Sequence, residues 1–453
     1  MTTKLADTPV AAKRRRYVSD PGDIGSLVQP DRVHGSVYTD PAIFELEMER
    51  VFGRAWVFLA HESQVAEPGD FFTTHLGRQP VIVCRDKEGA IRVFFNRCTH
   101  RGAIVCREAQ GNTNRFQCPY HGWIFDTTGR LAGVPYRGAY SDEFLADEGL
   151  NLAEVPRVEN YRGFIFGCLS DTGVGLVEHM GPLIEGIDGI LERAPEGAIS
   201  VPVGVHQYEF RGNWKMQIEN GMDEYHPPFS HASSVKKGGH QMQRAYGSTD
   251  GYKVVRGSED QEVGYAESYY DIAECHGADY GQAFLTIPDE SRKVDLREES
   301  YKAKMIANLG EAGYEDMFER ARMSNAVFYP NMILRSTGNV HIRTIQPVAV
   351  DHTIIRVWPI QIAGYADHMN KGVLKYSNIH VSVASFVQTD DIEIFERVQE
   401  GLQAQQPEWL MLARGLDREW EGQFPGELVG KASWETGIRK QFAYWKDLMT
   451  APE

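Results

Sequence analysis

Two short segments each pair a thiol with an imidazole: Cys98-Thr99-His100 and Cys118-Pro119-Tyr120-His121. Such a set suits a two-iron, two-sulfur cluster in which two thiolates hold one iron and two imidazoles the other. Imidazole in place of thiolate removes negative charge and raises the reduction potential, so the cluster would act as an electron acceptor. A zinc ion takes mixed Cys and His ligands too. Zinc sites more often use C-x-x-C knuckles, and C-x-H with C-x-x-H departs from that pattern. The neighbours fit loops that wrap a cluster: Gly102 and Gly122 permit close backbone approach, Pro119 stiffens the second loop, and Trp123 would shield one side.

A second set lies in the segment from Asn213 to His231. Asp223 and His226 are spaced to share a helix face. Pro227 and Pro228 then disfavour helix at and before them, so a bend after His226 would let His231 swing back toward the same ion. Two imidazoles and one carboxylate on one face of an iron leave positions open for dioxygen and substrate. Asp391, in Gln388-Thr389-Asp390-Asp391-Ile392-Glu393, is the best carboxylate for the third position. Helix capping competes for this role, since Asp390 with Glu393 reads as a capping box. For His226 and His231 the competing reading is an ordinary surface or core histidine.

These groups need elements to hold them. Thr39-Asp40-Pro41 opens an amphipathic helix that stops near Gly53. From Ala55 to about Gly167 short β-branched or aromatic runs alternate with turns, Asp86-Lys87-Glu88-Gly89 and Thr127-Thr128-Gly129-Arg130 being hairpin signals; this is an all-β module. Further on, strands (207–211, 340–347, 353–360) mix with helical stretches (214–225, 391–403, 407–412, 434–448), an α+β pattern. The division expected is a flexible lead-in over 1–38, the β module with its preceding helix over 39–167, and the α+β part over 168–453.

Composition bounds the rest. The net charge of −16 argues against non-specific nucleic-acid binding. No apolar stretch is long enough to span a membrane, the N-terminus shows no apolar h-region after its basic run Lys13-Arg14-Arg15-Arg16, and six sparse cysteines argue against a disulfide framework. A cytoplasmic location is the expectation. Cys84, Cys106, Cys168 and Cys275 read as ordinary core or surface residues.

Taken together, C-T-H-R-G (Cys98 to Gly102), C-P-Y-H-G-W (Cys118 to Trp123), N-W-K (Asn213 to Lys215), E-N-G-x-D-x-Y-H (Glu219 to His226) with His231, and Asp390-Asp391 resemble the large (α) subunit of Rieske non-haem iron aromatic-ring-hydroxylating oxygenases. The likeness runs over nearly the whole chain. It implies a Rieske [2Fe-2S] cluster on Cys98, His100, Cys118 and His121, and Fe(2+) on His226, His231 and Asp391 in a helix-grip catalytic domain. Asp223 matches the family's bridging aspartate, which accepts hydrogen bonds from an iron-ligating His and from a Rieske His of the next subunit, here His100 or His121. The resemblance also implies a trimer, usually α3β3 with a small β subunit, and electrons from NAD(P)H through a reductase, a ferredoxin or both. The expected reaction inserts O2 into an aromatic substrate to give a cis-dihydrodiol. The spacing of E-N-G-x-D-x-Y-H looks more like the benzoate-type branch, acting on aromatic acids. Met222, Phe229, Phe386 and Val387 are candidate pocket walls. A Rieske monooxygenase or demethylase is the second reading. A Rieske electron-transfer protein without oxygen chemistry is the third, and it would leave the segment around His226 without a purpose.

Overall fold

The computed structural model describes residues 9–201, 204–231, 273–287, 299–319, 322–336, 340–385, 387–404 and 406–452. They form two compact units.

One unit comprises Met48–Leu176 with the short stretch after Ile199. Its strands are β1 (Val57–His61), β2 (Asp70–Leu76), β3 (Gln79–Arg85), β4 (Ile91–Phe95), β5 (Gln110–Asn112), β6 (Arg115–Gln117), β7 (Ile124–Asp126), β8 (Leu131–Gly133), β9 (Arg157–Tyr161) and β10 (Phe164–Cys168). They pair into three antiparallel sheets, ordered β4-β3-β2-β5, β8-β7-β6 and β9-β10-β1. The two expected hairpins share one device. Asp86 Oδ1 accepts from the N–H of Glu88 and Ala90, and Asp126 Oδ1 from Thr128 and Arg130. Each turn then needs a left-handed residue, supplied by Gly89 (φ +90°) and Gly129 (φ +83°).

The other unit holds the described residues up to Glu47, Val177–Ile199 and those from Gly204 on. Among the described residues, nine strands make one antiparallel sheet: β11 (His206–Phe210), β12 (Glu274–Gly277), β13 (Ala283–Ile287), β14 (Arg322–Phe328), β15 (Met332–Arg335), β16 (His341–Ala349), β17 (His352–Pro359), β18 (Trp420–Glu421) and β19 (Leu428–Lys431), in the order β11-β17-β16-β15-β14-β13-β12-β19-β18. In β17 burial alternates strictly, Thr353, Ile355, Val357 and Pro359 facing inward. The C-terminal helix Thr436–Thr450 buries Ile438, Phe442, Trp445 and Met449. It can lie close to the sheet because Gly437 faces Ala283 and Cys275; a Cβ there would stand 3.1 Å from Ala283 Cβ and 3.3 Å from Cys275 Sγ.

The compact units divide the chain differently from the expected boundaries. Residues 9–38 carry a helix (Pro9–Ser19) and two short strands (Val28–Gln29 and Arg32–His34), and Ile24, Val33 and Val37 are buried. The stretch 407–412, expected as helix, contains the strand Trp409–Met411, which pairs with Arg32–His34. Its short apolar run has no decisive period, and the partner strand satisfies its backbone. The helix Pro41–Arg50, expected with the β module, contributes Glu47 to the unit with the nine-stranded sheet. Fully buried, Glu47 accepts from Trp214 Nε1 (2.9 Å), Lys215 Nζ and Trp445 Nε1 (2.7 Å). That carboxylate explains why Trp214 and Lys215 of the N-W-K run are buried. Glu47→Ala would leave the Lys215 ammonium buried and unpaired, at a cost of about 3–5 kcal/mol. A clear fall in the thermal unfolding midpoint is therefore expected by calorimetry, and an unchanged midpoint would contradict the pairing.

Candidate metal centres

The thiol and imidazole loops are built alike. Gly102 N–H donates to Cys98 O (2.8 Å) and Cys98 N–H to Ala103 O (2.8 Å); Gly122 N–H donates to Cys118 O (3.0 Å) and Cys118 N–H to Trp123 O (2.8 Å). Each tight turn closes on a left-handed glycine, Gly102 at φ +73° and Gly122 at φ +72°. Asn96 anchors the first loop, its side chain bonding the backbone of Val105 and Cys106.

Cys98 and Cys118 are buried, and the rings of His100 and His121 lie 4.6 Å apart. Trp123 stacks on His100 at 4.8 Å, whereas Tyr120 lies against His121 and is largely exposed. Burial pushes the Cys98 thiol above its ordinary pKa, and Cys118 beside it adds to this. The backbone N–H groups of His100 and Arg101, aimed at the sulfur, pull the other way. Burial, aided by His121 and Arg101, holds His100 below the usual imidazole value. Nδ1 of both His100 and His121 is buried without a hydrogen-bond partner. Two adjacent buried thiols and two orphaned imidazole nitrogens are a donor set that fits the cluster.

In the second set, His226 Nε2 and His231 Nε2 stand 3.5 and 3.2 Å from Asp391 Oδ1, and ligand atoms of the three residues all lie within 4.8 Å of one another. The local fold is not the one expected. The helix ends at Asn220 and Gly221, so Asp223 and His226 share no helix face. They meet in a turn in which Asp223 Oδ1 accepts from the N–H of Tyr225 (2.6 Å) and His226 (3.2 Å). Pro227 and Pro228 begin a new helical turn, Pro227–Ser230, as the first helical positions permit; His226 and His231 flank that turn and so face one ion site.

Asp391 is in the first turns of the helix Gln388–Gly401. The capping box is absent there: Ser385 Oγ accepts from Gln388 N–H (3.0 Å), and Glu393 pairs with Arg397. Asp390 instead faces His231 Nδ1 at 3.3 Å, as Asp223 faces His226 Nδ1 at 3.4 Å. Each imidazole thus has a carboxylate near its Nδ1, with His231 hydrogen-bonded to Asp390, and both rings turn Nε2 toward Asp391. The role of Asp390 was not legible in the sequence. Nor was that of Asn220, whose Nδ2 reaches both His226 Nε2 and Asp391 Oδ1 at 3.2 Å and whose Oδ1 is held by Gln217. Of the candidate pocket walls, Met222 is buried, Val387 is half-buried, Phe229 is exposed and Phe386 lies outside the described residues.

Burial opposes charge on His226, yet Asp223 and Asp391 outweigh it and raise its pKa to about 10. Burial also opposes charge on Asp391, but hydrogen bonds from His226 and His231 hold it well below the usual carboxylate range. An ion must therefore displace the His226 proton wherever the pH is below that value. Affinity for Mn(2+) or Co(2+) in metal-free protein should rise about tenfold per pH unit from neutrality toward pH 9. Titration calorimetry checks this, and a pH-independent affinity would contradict it.

The comparisons with known proteins accord with these two centres. Residues 55–157 match the Rieske [2Fe-2S] domain, and residues 200–449 match the ring hydroxylating alpha subunit (catalytic domain). The chain belongs to the Rieske ring-hydroxylating oxygenase alpha-subunit family. It is 31% identical to the 2-halobenzoate 1,2-dioxygenase large subunit of Burkholderia cepacia, over 94% of this chain and 92% of that one. It is 32% identical to the toluate 1,2-dioxygenase alpha subunit of Pseudomonas putida (83% and 82%) and 31% to the N,N-dimethyl phenylurea N-demethylase alpha subunit of a Sphingobium species (80% and 78%). Its fold matches naphthalene 1,2-dioxygenase from a Rhodococcus species at a TM-score of 0.77 and 23% identity, over 98% of this chain and 99% of that one. The alpha subunit therefore combines a Rieske [2Fe-2S] domain with a catalytic domain that uses mononuclear Fe(2+), and it is an oxidoreductase. The zinc and pure electron-transfer readings fall. Among the described residues no helix is long and apolar enough to cross a membrane.

Proposed function

We propose that this alpha subunit is the oxygenase component of a dioxygenase for aromatic acids, giving a cis-dihydrodiol with electrons from NAD(P)H delivered through a reductase, a ferredoxin or both. Cys98, His100, Cys118 and His121 would hold the cluster, and His226, His231 and Asp391 the iron. The observation that carries the reading is the convergence of His226, His231 and Asp391 in a chain that also has a Rieske domain. When bound, the cluster supplies single electrons and the ferrous ion activates dioxygen.

The chain's own residues do the positioning. Asp223 and Asp390 fix the two imidazoles, and Asn220 holds His226 and Asp391 in register. Asp223 stays partly exposed, at 34% of its side chain, which leaves it room to accept from His100 or His121 of a neighbouring protomer. That contact fits a trimer, with a small β subunit completing α3β3. The relatives named for 2-halobenzoate and toluate support an aromatic acid, as does the spacing of Glu219 to His226. Oxidative N-demethylation is the second reading, favoured by the Sphingobium relative.

Incubation with a panel of aromatic acids, neutral arenes and N-methyl arylureas under labelled dioxygen, with reductase and ferredoxin present, separates the two. A product with two labelled atoms is the expected result. Formaldehyde release with a single labelled atom would support demethylation, and no turnover on any class would overturn both.

A further inference from the structure

Strand β16 carries an anomaly. Arg343 lies on the same face as Ile345 and Pro347, which is the buried face, and is itself only 9% exposed. Its cross-strand partners are apolar and buried, Ile333 on β15 and Val357 on β17. Tyr208, on the next strand, faces the same way through its pairing with Ile355. A fixed cation thus stands where the alternation calls for an aliphatic side chain. Its Nε is buried without a partner, and among the described residues no carboxylate or carbonyl accepts from its guanidinium. A buried guanidinium nitrogen left without an acceptor is unfavourable, so the fold retains a group that an arriving anion would satisfy.

The position relative to the iron site narrows what that anion is. Ile333, opposite Arg343, packs under the turn that carries Asp223, since a Cβ on Gly221 would stand 2.8 Å from Ile333 Cδ1. Tyr208 lies in the field of both Arg343 and Asp391, and its hydroxyl donates to Gln217, which in turn holds Asn220. Arg335, diagonal to Arg343 across β15 and β16, is already engaged: Nη1 donates to Asn325 Oδ1 at 2.8 Å and its charge reaches Glu224. Arg335 Nε also lacks a partner, but among the described residues Arg343, beside the ligand-bearing segment, has no acceptor on any atom of its guanidinium, unlike Arg335.

We propose that Arg343 is the specificity-determining residue of this enzyme, receiving the carboxylate of an aromatic acid and so fixing the ring beside the His226, His231 and Asp391 site. The assignment rests on the ring-hydroxylation reading above. A guanidinium offers two parallel donors to a carboxylate, which orients the ring as well as binding it.

The test uses holoenzyme with its redox partners, and compares benzoates with the corresponding nitrobenzenes, which are planar and of similar shape but uncharged. The unaltered enzyme should prefer the acids. Arg343→Gln should lower kcat/KM for the acids by about 100-fold, chiefly through KM, while the nitroarenes change little. Calorimetry should show acid binding weakened to the same extent. Arg343→Met, which keeps the apolar stem, should behave likewise, and Arg343→Lys should recover part of the loss. Equal losses on acids and nitroarenes, or unchanged acid binding, would overturn the assignment. Turnover of neutral arenes with no binding of acids would overturn it too, with ring hydroxylation left standing. Failure on every arene would instead remove the reading on which it rests.

Discussion

Asp223→Asn should lower turnover by at least about 100-fold while both metal centres stay loaded. The substitution keeps the side chain's shape and removes its charge. Asp223 faces His226 and its side chain is partly exposed, so it stands where an imidazole of another protomer could reach it. Iron should remain, because His226, His231 and Asp391 are untouched. Removing a carboxylate that favours imidazolium also makes the His226 proton easier to displace, which offsets part of the lost orientation. Iron and labile-sulfide content together with steady-state turnover measure this directly. A variant that turns over normally, or one that has lost its iron, would contradict the role.

The second large effect is expected at Asp391. Asp391→Asn removes the only carboxylate of the trio and should weaken iron binding by more than about 100-fold, beyond what loss of a supporting residue costs. Activity should vanish with the iron. The visible spectrum of the cluster should not change, since Cys98, His100, Cys118 and His121 sit on loops of the β module. Two carboxylates, Asp223 and Asp390, would still face the imidazoles, so the protein should fold. Retention of stoichiometric iron would mean that Asp391 is not a ligand.

The sequence exposed the centres better than the backbone that builds them. Ligand types at the spacing of Cys98, His100, Cys118 and His121 have few other uses, and the hairpins flanking them carry their own turn chemistry. The segment from Asp223 to His231 was harder. Helical spacing pointed to a shared face, but Gly221 and the hydrogen-bonding carboxylate of Asp223 stop the helix first, and Pro227 then starts a turn instead of merely ending one. Asp390 satisfied a capping pattern on paper. In the fold Ser385 bonds the helix start, leaving Asp390 for His231.

Long-range pairings were beyond the reach of local pattern. Nothing near Glu47 announces that Trp214, Lys215 and Trp445 will bond to it, and nothing near Trp409 announces the strand at Arg32. Arg343 is a borderline case. An arginine among Ile342, Ile345 and Pro347 is visible in the chain, but only the register shows that its face is the buried one.

A single-turnover experiment tests the central claim most directly. The loaded protein is reduced, freed of reductant and of its electron-transfer partners, and mixed with an aromatic acid under labelled dioxygen. The expected result is a product carrying two labelled atoms, formed as the reduced-cluster signal disappears and in an amount limited by the electrons stored. Reoxidation of the cluster without product, or product whose oxygen comes from water, would contradict it.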